Sequence, residues 1–279
     1  MVNPHVLHVA PHITAPSAVH SDGMPTVPYV VARNQEALET IRRLIDGLDT
    51  DSILARHLRP AVQSLLTRYL KTGNEQVYTG RRSWLYYATD VQHVVGRGFL
   101  DPAQLAQRTA SGNSLSRAPL ADPRPALLEF NETLARRGIA LVIVPTPVKP
   151  SIRPIPLSAR RPTTPVHNIS FSRFVEEMRA AGVLVFDPAP LLTSLALDGD
   201  PVYLTRDTHW RPEAVVAVAE ELSRFLERET LLPERERVAF AVSRTTVSNR
   251  GDTVGLLDLP AKSSLFPPET VEVRQILMP

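Results

Sequence analysis

An α/β fold built on a parallel sheet is predicted by three features of the chain. Ile139 to Pro145 is a continuous apolar run, the pattern of a strand covered on both faces. Val183 to Asp187 repeats that pattern. Between them, Phe171 to Ala181 has helical periodicity, inside a crossover longer than the roughly dozen residues that a parallel connection needs. Strand, helix, strand is a βαβ unit, and ligands in such sheets gather beyond the carboxyl ends of the strands. That rule directs attention to Thr146, Lys149 and Asp187.

The remaining elements follow in order. Residues 1–28 carry His5, His8, His12 and His20 among prolines and small polar residues, which prevents one helical face from presenting the imidazoles. They read as a disordered lead-in to a domain spanning 29–279, and no metal or cofactor is expected. Asn34 caps a helix running to Ile45. A second helix covers Ser52 to Lys71, broken or kinked at Pro60 and stopped by Gly73-Asn74. Gln76 to Tyr87 reads as two short strands around a turn at Gly80, with Trp84, Tyr86 and Tyr87 as core aromatics rather than sugar-stacking platforms. Residues 96–122 read as a loop, and Gly112-Asn113-Ser114 within it lacks the flanking strand and helix of a nucleophile turn. Pro125 to Arg137 and Pro188 to Leu197 are helical. So is Pro212 to Arg228, where Pro212 suits the first turn. Ser243 to Arg250 is too polar for a buried strand. Val271 to Met278 alternates like a strand and then ends, so a further element is expected after it.

Composition narrows the partners. The chain has no cysteine, which rules out disulfides, thiolate metal ligands and a cysteine nucleophile. Basic residues number 31 against 29 acidic, and the arginines are scattered, so nucleic acid is not expected. No apolar stretch is long enough for a membrane span. The 26 prolines cluster in connecting segments and predict long loops.

The chemistry concentrates in Leu204 to Glu213. In an extended segment, residues two apart point to the same side, so Asp207 and His209 can face one cavity. A carboxylate on one imidazole nitrogen fixes the tautomer and leaves the other free to take a proton from a hydroxyl. The helix start at Pro212 is expected to disfavour the imidazolium and keep the ring basic.

Four segments occur here in the order seen in the AlgJ/AlgX-like alginate O-acetyltransferase family, which the chain resembles from about Asn34 onward. They are Gly80-Arg81-Arg82-Ser83-Trp84-Leu85-Tyr86-Tyr87, Val144 to Pro154, Thr205-Arg206-Asp207-Thr208-His209-Trp210-Arg211-Pro212-Glu213, and Arg250-Gly251-Asp252. The resemblance implies an SGNH-hydrolase-like, flavodoxin-like parallel sheet flanked by helices, and periplasmic work on an exopolysaccharide. It implies that Asp207 orients His209, that His209 activates a serine, and that an acyl-enzyme carries the acetyl group. Lys149 and Trp210 become the substrate-binding candidates. A membrane-bound acyltransferase partner would deliver the acetyl donor, and the chain itself would not cross the membrane.

Two departures accompany the resemblance. Arg211 stands where the family has a small hydroxyl residue, a better helix cap. The family's serine, in a Gly-Asp-Ser turn after a buried strand, has no counterpart before Pro279, so the domain is expected to be incomplete at its carboxyl end. Gly251-Asp252-Thr253 imitates that turn, with Thr253 in the nucleophile position. A noncatalytic polysaccharide-binding or scaffold subunit and a carbohydrate acetylesterase are both compatible with the same residues.

Overall fold

The computed structural model describes residues 53–110, 121–158, 162–229, 231–232 and 240–277. The chain divides into two units, Met1–Arg59 and Pro60–Pro279, and all the strands lie in the second. The expectations for residues 1–28, the helix from Asn34 and the triplet at 112–114 lie outside the described residues.

Helix α1 (Ile53–Leu65) contains Pro60 and runs on through a π-turn (Leu66–Leu70) to Lys71, whose φ of 55° ends it. Strands β1 (Val77–Thr79) and β2 (Leu85–Tyr87) pair antiparallel, with Val77 opposite Tyr87. Val77, Leu85 and Tyr86 are fully buried; of the three aromatics that the sequence assigns to the core, Tyr86 is wholly inside it, whereas Trp84 and Tyr87 are half-buried. Two helices follow: α2 (Ala88–Val95), and α3 (Pro102–Ala110), which occupies ground expected to be coil. Neither has a continuous apolar stripe, but Asp101 Oδ1 accepts from the backbone N–H groups of Ala103 and Gln104, and Pro102 opens the helix. An aspartate cap followed by proline was the local signal.

Helix α4 (Arg124–Ala135) ends before Gly138, which takes a φ of 70° to turn the chain into β3 (Val142–Ile143). The short helix α5 (Lys149–Ile152) follows, then α6 (Phe171–Ala180) and β4 (Leu184–Val185). β3 and β4 pair in parallel, Val142 beside Leu184 and Ile143 beside Val185, with α6 in the crossover. The βαβ unit is present, yet its strands are far shorter than the apolar runs that predicted them. Among the described residues the strands form three two-stranded sheets, so β3 has one ladder partner and Ile139 is half exposed. The apolar character of the run goes instead into a cluster under α6, where Phe174, Val175 and Met178 meet Val183 and Val185.

Helices α7 (Ala189–Asp198) and α8 (Pro212–Arg228) pack around Phe186, Leu192, Val202, Tyr203 and Val218. β5 (Ala241–Asn249), the short helix α9 (Asp252–Gly255) and β6 (Glu269–Leu277) complete the chain. β5 and β6 form an antiparallel ribbon from Ala241↔Leu277 to Asn249↔Glu269. The polarity of 243–250 correctly excludes a buried strand but not a strand, because this ribbon is exposed on nearly every residue. No helix among the described residues is long and apolar enough to cross a membrane.

Leu192 is wholly buried between α7 and α8. Its truncation to alanine is expected to cost about 2–5 kcal/mol, read as a lower midpoint in urea denaturation with an unchanged slope.

Candidate active site

The loop between α7 and α8 is closed at its base before it reaches any chemistry. Tyr203 and Trp210 form an isolated antiparallel bridge, Leu204 N–H donates to His209 O at 3.1 Å, and Arg211 N–H donates to Val202 O at 3.0 Å. The Trp210 indole N–H donates to the Tyr203 hydroxyl at 2.7 Å, and that hydroxyl donates to the Pro147 carbonyl just after β3. The strand end thus reaches the loop through an aromatic relay.

Beneath the loop lies Lys149, at the start of α5 and 1% exposed. Its ammonium donates to three backbone carbonyls: Leu85 at 2.7 Å, Thr205 at 2.9 Å and Asp207 at 3.0 Å. The Trp84 and Tyr86 rings lie about 5 Å from the same nitrogen, 5.0 and 5.1 Å to their centroids. Burial pulls its pKa down to about 7, against the opposite pull of the carboxylates of Asp252, Asp207, Glu269 and Asp90. Three N–H groups meeting three carbonyls leave none for a ligand. Lys149 therefore supports the loop from below, and a substrate contact would require it to release one of those carbonyls.

Above that support, Asp207 Oδ1 lies 2.6 Å from His209 Nδ1 and also accepts the His209 backbone N–H at 3.0 Å. Asp207 Oδ2 accepts the backbone N–H of Asp252 at 3.1 Å. Burial pushes the Asp207 carboxyl up, but these hydrogen bonds together outweigh it and hold the pKa below the ordinary carboxylate range. The hydrogen bond from Asp207 raises the His209 pKa above its ordinary value, against partial burial. The sequence expectation that the start of α8 keeps the ring neutral is overturned here. A carboxylate in direct contact with Nδ1 acts more strongly than the partial charge of a helix terminus. The His209 side chain is 76% exposed, and no hydroxyl among the described residues is hydrogen-bonded to it.

Two residues that sequence reasoning did not assign complete the frame. Asp252 Oδ1 accepts the Thr208 N–H at 2.9 Å, its Oδ2 accepts the Thr208 hydroxyl, and that oxygen is 3.6 Å from His209 Nδ1. Gly251, with a φ of 93°, lets this turn approach: a Cβ there would stand 1.9 Å from the Arg206 carbonyl. Glu269, at the start of β6, accepts the Thr205 N–H at 2.8 Å and pairs with Arg211 at 2.7 Å. That accounts for the arginine at the α8 cap position, which makes no capping bond with its side chain and instead ties the loop to β6. Thr253 is wholly buried and its hydroxyl donates to the Arg206 carbonyl, so it is a packing residue of the turn.

Ligand atoms of Asp207, His209 and Asp252 lie within 4.8 Å of one another, a spacing that a cation can use. The two carboxylates already accept from the imidazole, three backbone N–H groups and the Thr208 hydroxyl, so the trio reads as a hydrogen-bond network. Trp210, partly buried, lines a cavity of about 300 Å³ with Pro212, Glu213, Glu272 and Arg274. Thr146 faces a separate cavity of about 210 Å³ with His93, Ser151 and His167. Asp187 caps α7 through the Ala189 N–H at 3.0 Å. The strand ends therefore contribute Lys149 to the Asp207–His209 pair but neither Thr146 nor Asp187.

Comparison with known proteins places this geometry. A family model described as the SGNH hydrolase-like domain of the acetyltransferase AlgX matches residues 77–278, which is most of the chain and all of the site. The chain belongs to this AlgX-type SGNH hydrolase-like family. It is 33% identical over 147 residues to the probable alginate O-acetylase AlgJ of Pseudomonas aeruginosa, covering 50% of this chain and 36% of that protein. It is 28% identical over 204 residues to the protein of the same name from Pseudomonas putida, covering 72% and 48%. The chain thus spans half or less of these relatives. Among solved structures, the O-acetyltransferase domain of Pseudomonas putida AlgJ superposes with a TM-score of 0.53 at 23% identity, covering 72% of this chain and 64% of that one. The SGNH hydrolase-like fold of the family member described here is shared with it.

Two measurements check the site. In a proton NMR titration, His209 is expected to titrate above the ordinary histidine range of about 6.5, and Asp207→Asn to bring the midpoint down. An unchanged midpoint would break the dyad. By linkage, the pairing stabilises the fold fully below the unfolded value, and this contribution is lost as pH rises through the higher folded value. Lys149→Met removes the ammonium from the Leu85 and Asp207 carbonyls, while the Thr205 carbonyl keeps the Leu85 N–H, and is expected to cost several kcal/mol, at about 1–3 kcal/mol for each carbonyl left without a donor, by chemical denaturation.

Proposed function

We propose that the chain carries the acid and base arm of an exopolysaccharide O-acetyltransferase. The observation behind this reading is the 2.6 Å contact between Asp207 Oδ1 and His209 Nδ1, on a ring otherwise open to solvent. With Nδ1–H held by Asp207, Nε2 is the basic nitrogen. It takes the proton of a serine hydroxyl as that oxygen bonds to the acetyl carbonyl carbon of a donor. His209 then returns the proton to the leaving oxygen as the donor's acyl bond breaks. A sugar hydroxyl next gives its proton to Nε2, attacks the acetyl-serine, and leaves esterified while serine regains its proton. Asp207 stays ionised and stabilises the imidazolium in both halves.

The similarity to probable alginate O-acetylases supports the substrate class, an alginate-like exopolysaccharide, and the family supports the acetyl-transfer chemistry. In this reading the protein works in the periplasm with an acetyl donor delivered by a membrane-bound acyltransferase. The serine lies outside the hydrogen-bonded set around His209 described above. Trp210 offers a partly buried aromatic wall to the sugar, and Lys149 positions the loop.

The test is made in the source organism, with the protein at its natural extent. Chromosomal His209→Ala is expected to abolish polymer acetylation, since loss of the base in such a unit costs about 10³-fold or more in rate. Asp207→Asn should reduce it nearly as much. Acetate released from the purified exopolysaccharide by mild alkali is the readout. Wild-type acetate content in the His209 variant, with equal protein level, would refute the reading.

A further inference from the structure

A second, positively charged cavity lies away from the dyad. A cleft of about 620 Å³, within the usual range of ligand sites, opens beside the β1–β2 hairpin. Lys71, Arg81 and Arg82 lie on its wall, and no aspartate or glutamate does. Lys71 donates only to the Arg68 carbonyl. The guanidinium groups of Arg81 and Arg82 have no ion-pair or hydrogen-bond partner among the described residues, and both side chains are exposed. Several other exposed arginines sit in ion pairs, among them Arg173, Arg224, Arg228 and Arg244. Three uncompensated cations around one hollow form a field that favours an anion.

The backbone points the same way. Among the described residues four non-glycine residues have positive φ, and three of them, Lys71 at 55°, Arg82 at 56° and Ser83 at 61°, are on this wall. Arg82 and Ser83 are the central pair of the turn closed by Trp84 N–H on the Arg81 carbonyl at 3.3 Å. Two successive left-handed residues make the turn that Asn-Gly fills without strain. Here an arginine and a serine occupy it, each with its Cβ crowded by the following carbonyl. The strained turn places Arg82 on the wall of the cleft.

We infer that the cleft beside the Arg81–Ser83 turn is a subsite for a carboxylate-bearing stretch of an acidic polysaccharide, a polyuronate, held by Arg81, Arg82 and Lys71. This rests on the polysaccharide reading above and gives that polymer a charge and a docking place. Arginine forks match a carboxylate bidentately, and a chain of uronates meets several cations at once. The cleft also shares structure with the site. Leu85, on its wall, donates its N–H to Thr205 at 3.0 Å and gives its carbonyl to Lys149, and Phe266 lies under the Arg206 guanidinium at 5.9 Å. A polymer seated there lies against the strand that carries the catalytic loop.

Isothermal titration with oligomannuronate and with a neutral cello-oligosaccharide of equal length tests this, together with melting curves of each variant. The wild-type chain is expected to bind the acidic oligomer, more weakly as salt rises, and to prefer it to the neutral one. Arg81→Gln and Arg82→Asn should each weaken binding by roughly 10-fold or more. Arg82→Asn should at the same time melt roughly 2–4 °C higher, because asparagine tolerates the left-handed turn. Weaker binding by a more stable variant separates a ligand contact from damage to the fold. Equal binding of both oligomers, unchanged in the arginine variants, overturns the subsite and leaves the polysaccharide reading standing. Binding of neither oligomer overturns both.

Discussion

The arrangement depends on one buried ammonium. Lys149 is removed from water, which costs a cation heavily unless its hydrogen bonds are replaced. The chain replaces all three with carbonyls from β2 and from both sides of Arg206, in the loop that carries the dyad. Those carbonyls must then turn downward. A peptide whose oxygen faces the interior presents its flanking side chains in a fixed sense, so Asp207 and His209 are directed by the backbone beneath them as much as by their own contacts. The two aromatic rings against the same nitrogen keep water from competing for it.

On this base the electrostatics are layered rather than pairwise. Asp207 is the hub, taking an imidazole and two backbone N–H groups on its two oxygens. Asp252 forms an outer carboxylate that holds Thr208 and adds a second negative charge near the imidazole. The result is a ring disposed to accept a proton and to hold it while a reaction proceeds. That behaviour suits a base that must later become an acid.

Much of this was readable in the chain, and what was unreadable has a common cause. The helix from Pro212 to Arg228 has the bounds that its apolar spacing predicts, and the parallel pairing of Val142–Ile143 with Leu184–Val185 follows from two apolar runs and a crossover. Asp207 and His209 were found because their geometry is local, two residues apart. Lys149 is brought near the site by its position after β3, but its three acceptors sit 64, 56 and 58 residues away and cannot be read from the chain. Glu269 carried no signal at all, being one glutamate in an alternating run. Asp252 was read as part of a nucleophile turn, whereas the glycine before it actually marks a place where two backbones touch.

The ribbon of β5 and β6 adds a mechanical aspect. Its nine rungs close at Asn249↔Glu269, and Glu269 is the residue that grips both Thr205 and Arg211. Two residues beyond Asn249 is Gly251, against the Arg206 carbonyl. Both rails of the ribbon therefore end on the loop that holds Asp207 and His209. The opposite end of the ribbon, at Ala241 and Leu277, is nine rungs away, so these two strands tie the loop holding His209 to a part of the surface distant from it.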